Sequence, residues 1–557
     1  MHNHDVLVIG AGLAGMRAAM EAGKYCDVGL ISKVYPTRSH SGGAQGGINA
    51  VLNENDSLES HAFDTVKGSD YLGDQDAIEL FVEEAPRDIY ELDRMGANFS
   101  RTEDGRIAQR ALGGASFERC CFAADLTGHK LLHLLYEQLL KSNVRIYHEF
   151  FVTKLCLHEG RCSGVIAYNM QAGRIEGFRA KAVILATGGY GRVFARTTNS
   201  HIVTGDGMAL ALRAGAPLCD MEFVQFHPTT LYGTNILISE AVRGEGGYLL
   251  NREGERFMKN YAPEMMELAP RDIVSRCIQK EVTAGRGFEN EYVELDVRHF
   301  GRKKIMERIP QVHDLALKFA GVEISERPMP VQPAQHYSMG GVRTDVNGKT
   351  AIEGLFSAGE CACVSIHGAN RLGGNSLMET IVFGRRAGAS AGEYALKETG
   401  STPSPIDDLK KESARINKIL KSRGKEKASP LLKELQSAMT RYCGVFRTEK
   451  EMLKGLKKVQ EIKERFKRAG ISDNNLVFNT ELVSYLELAN LLEIAEVILK
   501  GAINRKESRG AHFRDDFPQR DDENWLKHTI ARKRDGKVEI SYEPVRITKF
   551  NPQARVY

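Results

Sequence analysis

The chain opens on a pattern that few folds accommodate. Asp5-Val6-Leu7-Val8-Ile9 is a short apolar run, and it passes directly into Gly10-x-Gly12-x-x-Gly15. An amphipathic stretch from Leu13 to Tyr25 and a second strand, Asp27 to Ser32, follow. Strand, glycine turn, helix and strand in this order predict a βαβ unit with parallel strands. Gly10 allows the tight turn, Gly12 lets a pyrophosphate approach the backbone, and Gly15 lets the helix pack on the strand. Ala14 lies inside the same turn. The helix N-terminus then faces the phosphates.

The second strand ends in Ser32-Lys33, where a nicotinamide dinucleotide site places an acid for the ribose. That argues against a plain NAD site. Two later strands also end in glycine or an acid: Ala182–Ala186 before Thr187-Gly188-Gly189, and Gly354–Glu360. Glu360 is a candidate for a ribose or ribityl hydroxyl. Strands so far apart in sequence predict one α/β domain interrupted by an insertion. The expected fold is α/β: a Rossmann-like nucleotide-binding domain (1–221 and 337–397) split by an α+β capping domain (222–336). A Ser/Pro linker at Ser401–Ser404 leads into a helical domain (398–505) with an apolar face through Leu488, Leu491, Leu492, Ala495 and Ile498. A C-terminal domain (506–557) follows.

Composition narrows the function. The 557 residues exceed what one core serves, and a net charge of +4 is no nucleic-acid signature. Of the ten cysteines, only Cys120-Cys121 and Cys361-x-Cys363 are close, and neither spacing holds zinc or an iron–sulfur cluster. They are expected to be free thiols, and no metal site is expected. Only Met1–His4 precede the first strand, so no presequence is expected, and no apolar run is long enough to span a membrane.

The run Tyr35-Pro36-Thr37-Arg38-Ser39-His40-Ser41-Gly42-Gly43-Ala44-Gln45-Gly46-Gly47-Ile48 is either a flexible loop or a backbone that must approach a flat ring, with His40 pointing at it. It resembles the flavin-attachment segment of the succinate dehydrogenase/fumarate reductase flavoprotein subunits. The resemblance continues in order through Asp64–Asp70, Gly205-Asp206-Gly207, Gln225–Thr229, Arg243–Gly247, His336–Gly341, Asn370–Ser376 and Glu507–His512. It implies FAD as cofactor, joined covalently through its 8α carbon to His40. It also implies cofactor contacts at Ser32, Lys33, Ser39, Ser41, Gln45, Gly46, Gly47, Asp206, Ser376 and Leu377.

The same resemblance places substrate-binding roles on His227, Ser239, His336 and Arg371. The family usually has Thr where this chain has Ser239, so the hydroxyl is kept and a methyl lost. Arg371 suits a bidentate grip on a carboxylate, and the histidines and hydroxyl can donate to the other oxygens. Arg271 falls on the proton donor, with Glu240 and Arg243 as its relay. The competing reading of those three is a structural Arg–Glu–Arg salt-bridge network. An aromatic near the substrate is expected from the segment Ala111–Cys121, with Phe117 and Phe122 as candidates. Implied partners are succinate and fumarate, an iron–sulfur subunit, and a membrane anchor with quinone on the inner face of the cell membrane. The alternatives are an L-aspartate oxidase-like flavoprotein, an adenylylsulfate reductase flavoprotein, and a flavin carrier without its own substrate. Direction of turnover is left open.

Overall fold

Val6, Leu7 and Val8 are wholly buried because the strand His2–Ile9 lies inside a seven-stranded sheet. The computed structural model describes residues 1–555. In that sheet His2–Ile9 pairs in parallel with Val28–Ser32 on one side and Arg174–Leu185 on the other. The strand Leu355–Ser357, far along the chain, also pairs in parallel with Arg174–Leu185. The helices Leu13–Ala22 and Asn375–Lys397 pack closely together. Their approach depends on Gly384 and Gly388, where a Cβ would lie 2.7 and 2.3 Å from the backbone of Ala14 and Ala18. The nucleotide-binding domain is thus closed by a helix that follows the insertion.

The insertion forms its own antiparallel sheet from Val224–Leu231, Met329–Ser338, Val293–Asp296 and Tyr248–Leu250. Leu231, Leu249, Ile278, Val293 and Val331 belong to its core. The helix Arg271–Thr283 packs on this sheet, and Ser275 Oγ donates to the Phe226 carbonyl at 2.9 Å. Pairing between Val224–Leu231 and Met329–Ser338 slips between His227 and Thr230. Pro228 occupies the slip. It has no N–H to give to the ladder, so the strand bulges there and re-aims its neighbours.

Four long helices follow: Ile406–Leu420, Ala428–Tyr442, Glu449–Phe466 and Thr480–Asn504. Leu488, Leu491, Leu492, Ala495 and Ile498 are all buried on the last of them. The hairpin Lys527–Arg534/Lys537–Pro544 then joins a second sheet through Leu218–Cys219. From there the chain returns across the nucleotide-binding domain, where the Gln75 Oε1 atom accepts from the backbone of Lys549 and Phe550 at 2.9 Å each. Arg555 ends this return by bridging two parts of the molecule. It donates to Asp272 of the cap at 3.1 and 3.2 Å and to Asp70 at 3.2 Å. All ten cysteines are free. Among the described residues no helix is long and apolar enough to cross a membrane.

Candidate active site

A cavity of about 600 Å³ opens beside the first glycine turn, within the range of small-molecule sites. Its lining includes Gly10, Gly12, Ala14, Ser32, Lys33 and Ser39. His40, Ser41, Gln45, Asp206, Glu360, Ser376 and Leu377 complete the predicted set on its wall. Gly15, Gly46 and Gly47 do not line it. Gly15 packs against the turn, where a Cβ would lie 1.8 Å from the Gly10 carbonyl oxygen. Gly46 instead offers its carbonyl to Arg110. Gly10 has φ +111°, and a Cβ there would lie 2.2 Å from the Ala186 carbonyl oxygen.

The cavity fits a flavin dinucleotide. The N-terminus of Leu13–Ala22 opens onto it, supplying backbone N–H groups for a pyrophosphate. Two wall atoms, Gln45 Oε1 and Ser200 Oγ, are buried without a hydrogen-bond partner, as expected of groups that await a polar ligand. Lys33 is held by Asp206 and Glu487 at 2.7 Å each, the second from the helical domain. Burial raises the Glu360 carboxyl to about 7, opposed by the Ser338 N–H that it accepts at 2.9 Å. Burial lowers the His40 imidazole to about 4, so it is neutral at physiological pH.

The predicted substrate and proton groups gather where the cap meets the nucleotide-binding domain. The rings of His227 and His336 lie 5.0 Å apart. Burial, then the Arg271 charge, hold both imidazoles well below the usual value, so each is neutral. His227 owes its position to the bulge at Pro228, with Nδ1 turned toward Thr229. Thr198 Oγ1 lies 2.8 Å from His336 Nδ1.

Arg271, the first residue of its helix, donates from Nη2 to Glu240 Oε2 at 2.7 Å and from Nε at 3.2 Å. Arg243 donates to the other carboxylate oxygen of Glu240 at 3.1 Å. Burial opposes the Glu240 charge, but the Arg271 and Arg243 guanidiniums outweigh it and hold the carboxyl below its usual range. Ser239 precedes this relay, and its Oγ accepts the Ala241 N–H at 3.2 Å.

Arg371 is only 3% exposed, and among the described residues no carboxylate lies within salt-bridge distance of it. Its Nε has no partner, and its guanidinium sits 4.5 Å from the centre of the Tyr337 ring. Burial, reinforced by Arg271, lowers it to about 9. Arg271, Arg371 and Leu372 border a small cleft of about 10 Å³, room for one water.

The segment after Ala111 departs from expectation. Neither Phe117 nor Phe122 lines either cavity. Phe122 is buried beneath the Arg110 guanidinium, 4.3 Å from its ring centre. The chain turns at Gly113-Gly114, and Leu112 meets the site instead, its Cβ 3.4 Å from where a Cβ on Gly373 would lie. Gln225 is a site residue that sequence reasoning passed over. It accepts from Arg271 at 3.1 Å and donates to the Arg371 carbonyl at 2.7 Å, so it joins cap and turn. It lies in the run Gln225–Thr229, two residues before His227.

A glycine-turn cavity, a buried cationic cleft beside it and a cap over both define a dinucleotide-dependent oxidoreductase whose substrate is anionic. Residues 5–377 match the FAD binding domain family, and residues 432–557 match the fumarate reductase flavoprotein C-terminal family. A fumarate reductase flavoprotein subunit of Mycobacterium tuberculosis is 46% identical over 100% of this chain and 99% of its own length. A succinate dehydrogenase flavoprotein subunit of Rickettsia bellii is 44% identical over 100% of this chain and 97% of its own. An E. coli quinol fumarate reductase structure superposes with a TM-score of 0.97 at 43% identity, covering 100% of this chain and 99% of that one. The chain belongs to the family of succinate dehydrogenase and fumarate reductase flavoprotein subunits, and it is an FAD-dependent oxidoreductase. Likeness to these members over the whole chain sets aside the L-aspartate oxidase-like alternative.

Proposed function

We propose that succinate or fumarate binds where the cap meets the nucleotide-binding domain, with Arg371, His227, Ser239 and His336 holding the carboxylates and Arg271 exchanging the proton. The observation that carries this reading is the charge of the cleft. Arg243, Arg271 and Arg371 converge on Glu240, while of the two further acids that act on them Glu267 is neutralised by its pair with Arg256 and Glu360 is raised by burial to about 7. That excess of two positive charges matches a dicarboxylate. The unpaired Arg371 is the natural clamp, since a buried guanidinium without an anion is costly until one arrives. Its cation–π contact with Tyr337 fixes its plane meanwhile.

FAD, when bound, gives or accepts the hydride. The residues do the rest. The clamp fixes the central carbons in one orientation, and His227 and His336 each turn one ring nitrogen toward the substrate oxygens. Arg271 gives a proton to the carbon that becomes electron-rich during fumarate reduction. It regains one across the 2.7 Å contact between its Nη2 and Glu240 Oε2, with Arg243 behind. Succinate oxidation runs the same path in reverse. His40, on the cavity wall, is the proposed point of covalent attachment.

The relatives' names support partners. They are flavoprotein subunits, and the E. coli structure is a quinol fumarate reductase. In this reading electrons pass to an iron–sulfur subunit and on to quinone at a membrane anchor, and the chain sits peripherally on the inner face of the cell membrane. Its own cysteines have no cluster spacing, which fits clusters carried by another chain. Direction follows the potential of the acceptor.

The test is titration of the FAD-loaded protein with malonate, a dicarboxylate that cannot be dehydrogenated, read from the flavin spectrum. Arg371→Gln should weaken binding by about 100-fold or more, the scale of a lost charged hydrogen-bond pair. Unchanged affinity would remove Arg371 from the site.

A further inference from the structure

Asn199 sits between the two histidines of greatest interest. Its Nδ2 atom lies 2.9 Å from the His336 backbone carbonyl oxygen and 3.0 Å from His40 Nε2. A carbonyl oxygen only accepts, so the atom facing it must be the amide nitrogen, and the orientation of the Asn199 amide is determined. That nitrogen carries two hydrogens. One goes to the carbonyl, and the other points at His40 Nε2, which must present a lone pair to receive it. The ring hydrogen of neutral His40 is therefore on Nδ1. The Ser200 N–H is directed at Nδ1 from 3.5 Å; a neutral imidazole can accept at only one nitrogen, and the Asn199 contact, shorter by 0.5 Å, takes that place.

The rest of the pocket holds this arrangement in place. The Asn199 backbone N–H donates to Thr197 Oγ1 at 3.0 Å. Thr197 Oγ1 in turn donates to Gln335 Oε1 at 2.5 Å. Asn199 Oδ1 is buried without a partner and faces Gly191, where a Cβ would lie only 2.1 Å away. An unsatisfied buried amide oxygen destabilises the folded chain. A side chain kept only for packing would not carry that cost, since an apolar one of similar shape avoids it.

We propose that Asn199 is a positioning residue for covalent flavin attachment, holding the Nε2 lone pair of His40 free of hydrogen until the bond to the 8α carbon replaces the Asn199 contact. Forming that bond breaks one C–H bond at the 8α carbon and the N–H bond at His40 Nδ1. The two protons and the electron pair of the broken C–H bond pass to the flavin ring, which is left reduced. Fumarate, the acceptor in the chain's own reaction, then removes them. The proposal rests on His40 being the attachment residue.

The experiment uses the full-length chain, produced without flavin and mixed with FAD and fumarate. Samples are denatured at intervals and scored for flavin fluorescence that stays with the polypeptide, and native absorbance gives total bound FAD. Wild type should acquire denaturation-resistant flavin, and His40→Ser should bind FAD without acquiring it. Asn199→Asp is nearly isosteric but can only accept, which moves the hydrogen to Nε2. It should bind FAD in the wild-type ratio yet attach it at least tenfold more slowly. Attachment at the wild-type rate overturns the role of Asn199 while leaving His40 in place. Wild type without resistant flavin overturns both. If Asn199→Asp takes up no FAD, Asn199→Ala is read in the same way: tenfold slower attachment supports the proposal and an unchanged rate overturns it.

Discussion

Arg271→Ala separates a proton donor from a structural ion pair. The substitution removes two N–H···O contacts to Glu240, at 2.7 and 3.2 Å, and one to Gln225 at 3.1 Å. Breaking a buried pair costs about 3–5 kcal/mol. Glu240 keeps its 3.1 Å contact with Arg243, so the lower end, about 3 kcal/mol, applies. Losing the general acid should cost a factor of about 10²–10⁴ in kcat. A missing cation about 4 Å from a substrate carboxylate is worth about 4 kcal/mol at an effective dielectric near 20, or about 10³ in affinity. Together kcat/KM should fall by at least about 10⁵. Arg271→Lys keeps the charge, but one ammonium cannot span Glu240 and Gln225 as the planar fork does, so kcat should still fall by about 10² or more. The assay is fumarate reduction by a reduced viologen dye, with FAD per chain measured on the same sample. A chain with full FAD and more than a tenth of wild-type kcat in Arg271→Ala would refute the assignment, leaving the arginines as scaffolding.

Three further outcomes are expected. His40→Ser should keep FAD but lose succinate oxidation more than fumarate reduction, because losing the covalent bond lowers the flavin potential; equal losses in dye assays of the two directions would count against it. Asp272→Asn should destabilise the folded chain by about 2 kcal/mol at neutral pH, since Arg555 and Arg276 overcome burial and hold the Asp272 carboxyl at about 2. Its folded value lies below the unfolded one, so the contribution is present above about pH 4 and lost as pH falls toward 2; urea titrations of both proteins across that window should converge on the acid side. Gly10→Ala should abolish FAD uptake, because φ +111° is strained for any side chain and the new Cβ would lie 2.2 Å from the Ala186 oxygen; absorbance of the purified variant at the wild-type flavin ratio would contradict this.

The glycine turn was legible because its logic is local: a strand end, three glycines and a helix start lie within six residues. Apart from the resemblance, which makes it a cofactor contact, Lys33 was legible only as a missing acid. Its real setting needs Asp206 and Glu487, which reach it from distant segments. The apolar face at Leu488–Ile498 was readable from helical period alone. The position of His227 was not, because a bulge around Pro228 decides where that side chain goes, and the bulge depends on a partner strand about a hundred residues on. Asn199 and Thr198 carry no periodic or motif signal. Only the pairing of their segment with Gln335 brings them to His40 and His336. The expected aromatic at the substrate failed for a related reason: the turn at Gly113-Gly114 sends Leu112 inward and leaves Phe122 under Arg110.

The strand Leu355–Ser357 lies beside Arg174–Leu185 in the central sheet, with the whole cap threaded between them. This has a temporal meaning during synthesis. The ribosome must deliver the cap before the sheet can be finished, so the first 200 residues emerge with an unpaired edge and no complete cavity. Contacts of such long sequence separation form slowly, and an open strand edge invites wrong partners. The nascent chain therefore has a window of vulnerability that closes only after the second half exists. The flavin cavity takes Glu360, Ser376 and Leu377 into its wall, so it too is complete only then, and flavin loading must follow synthesis of the second half.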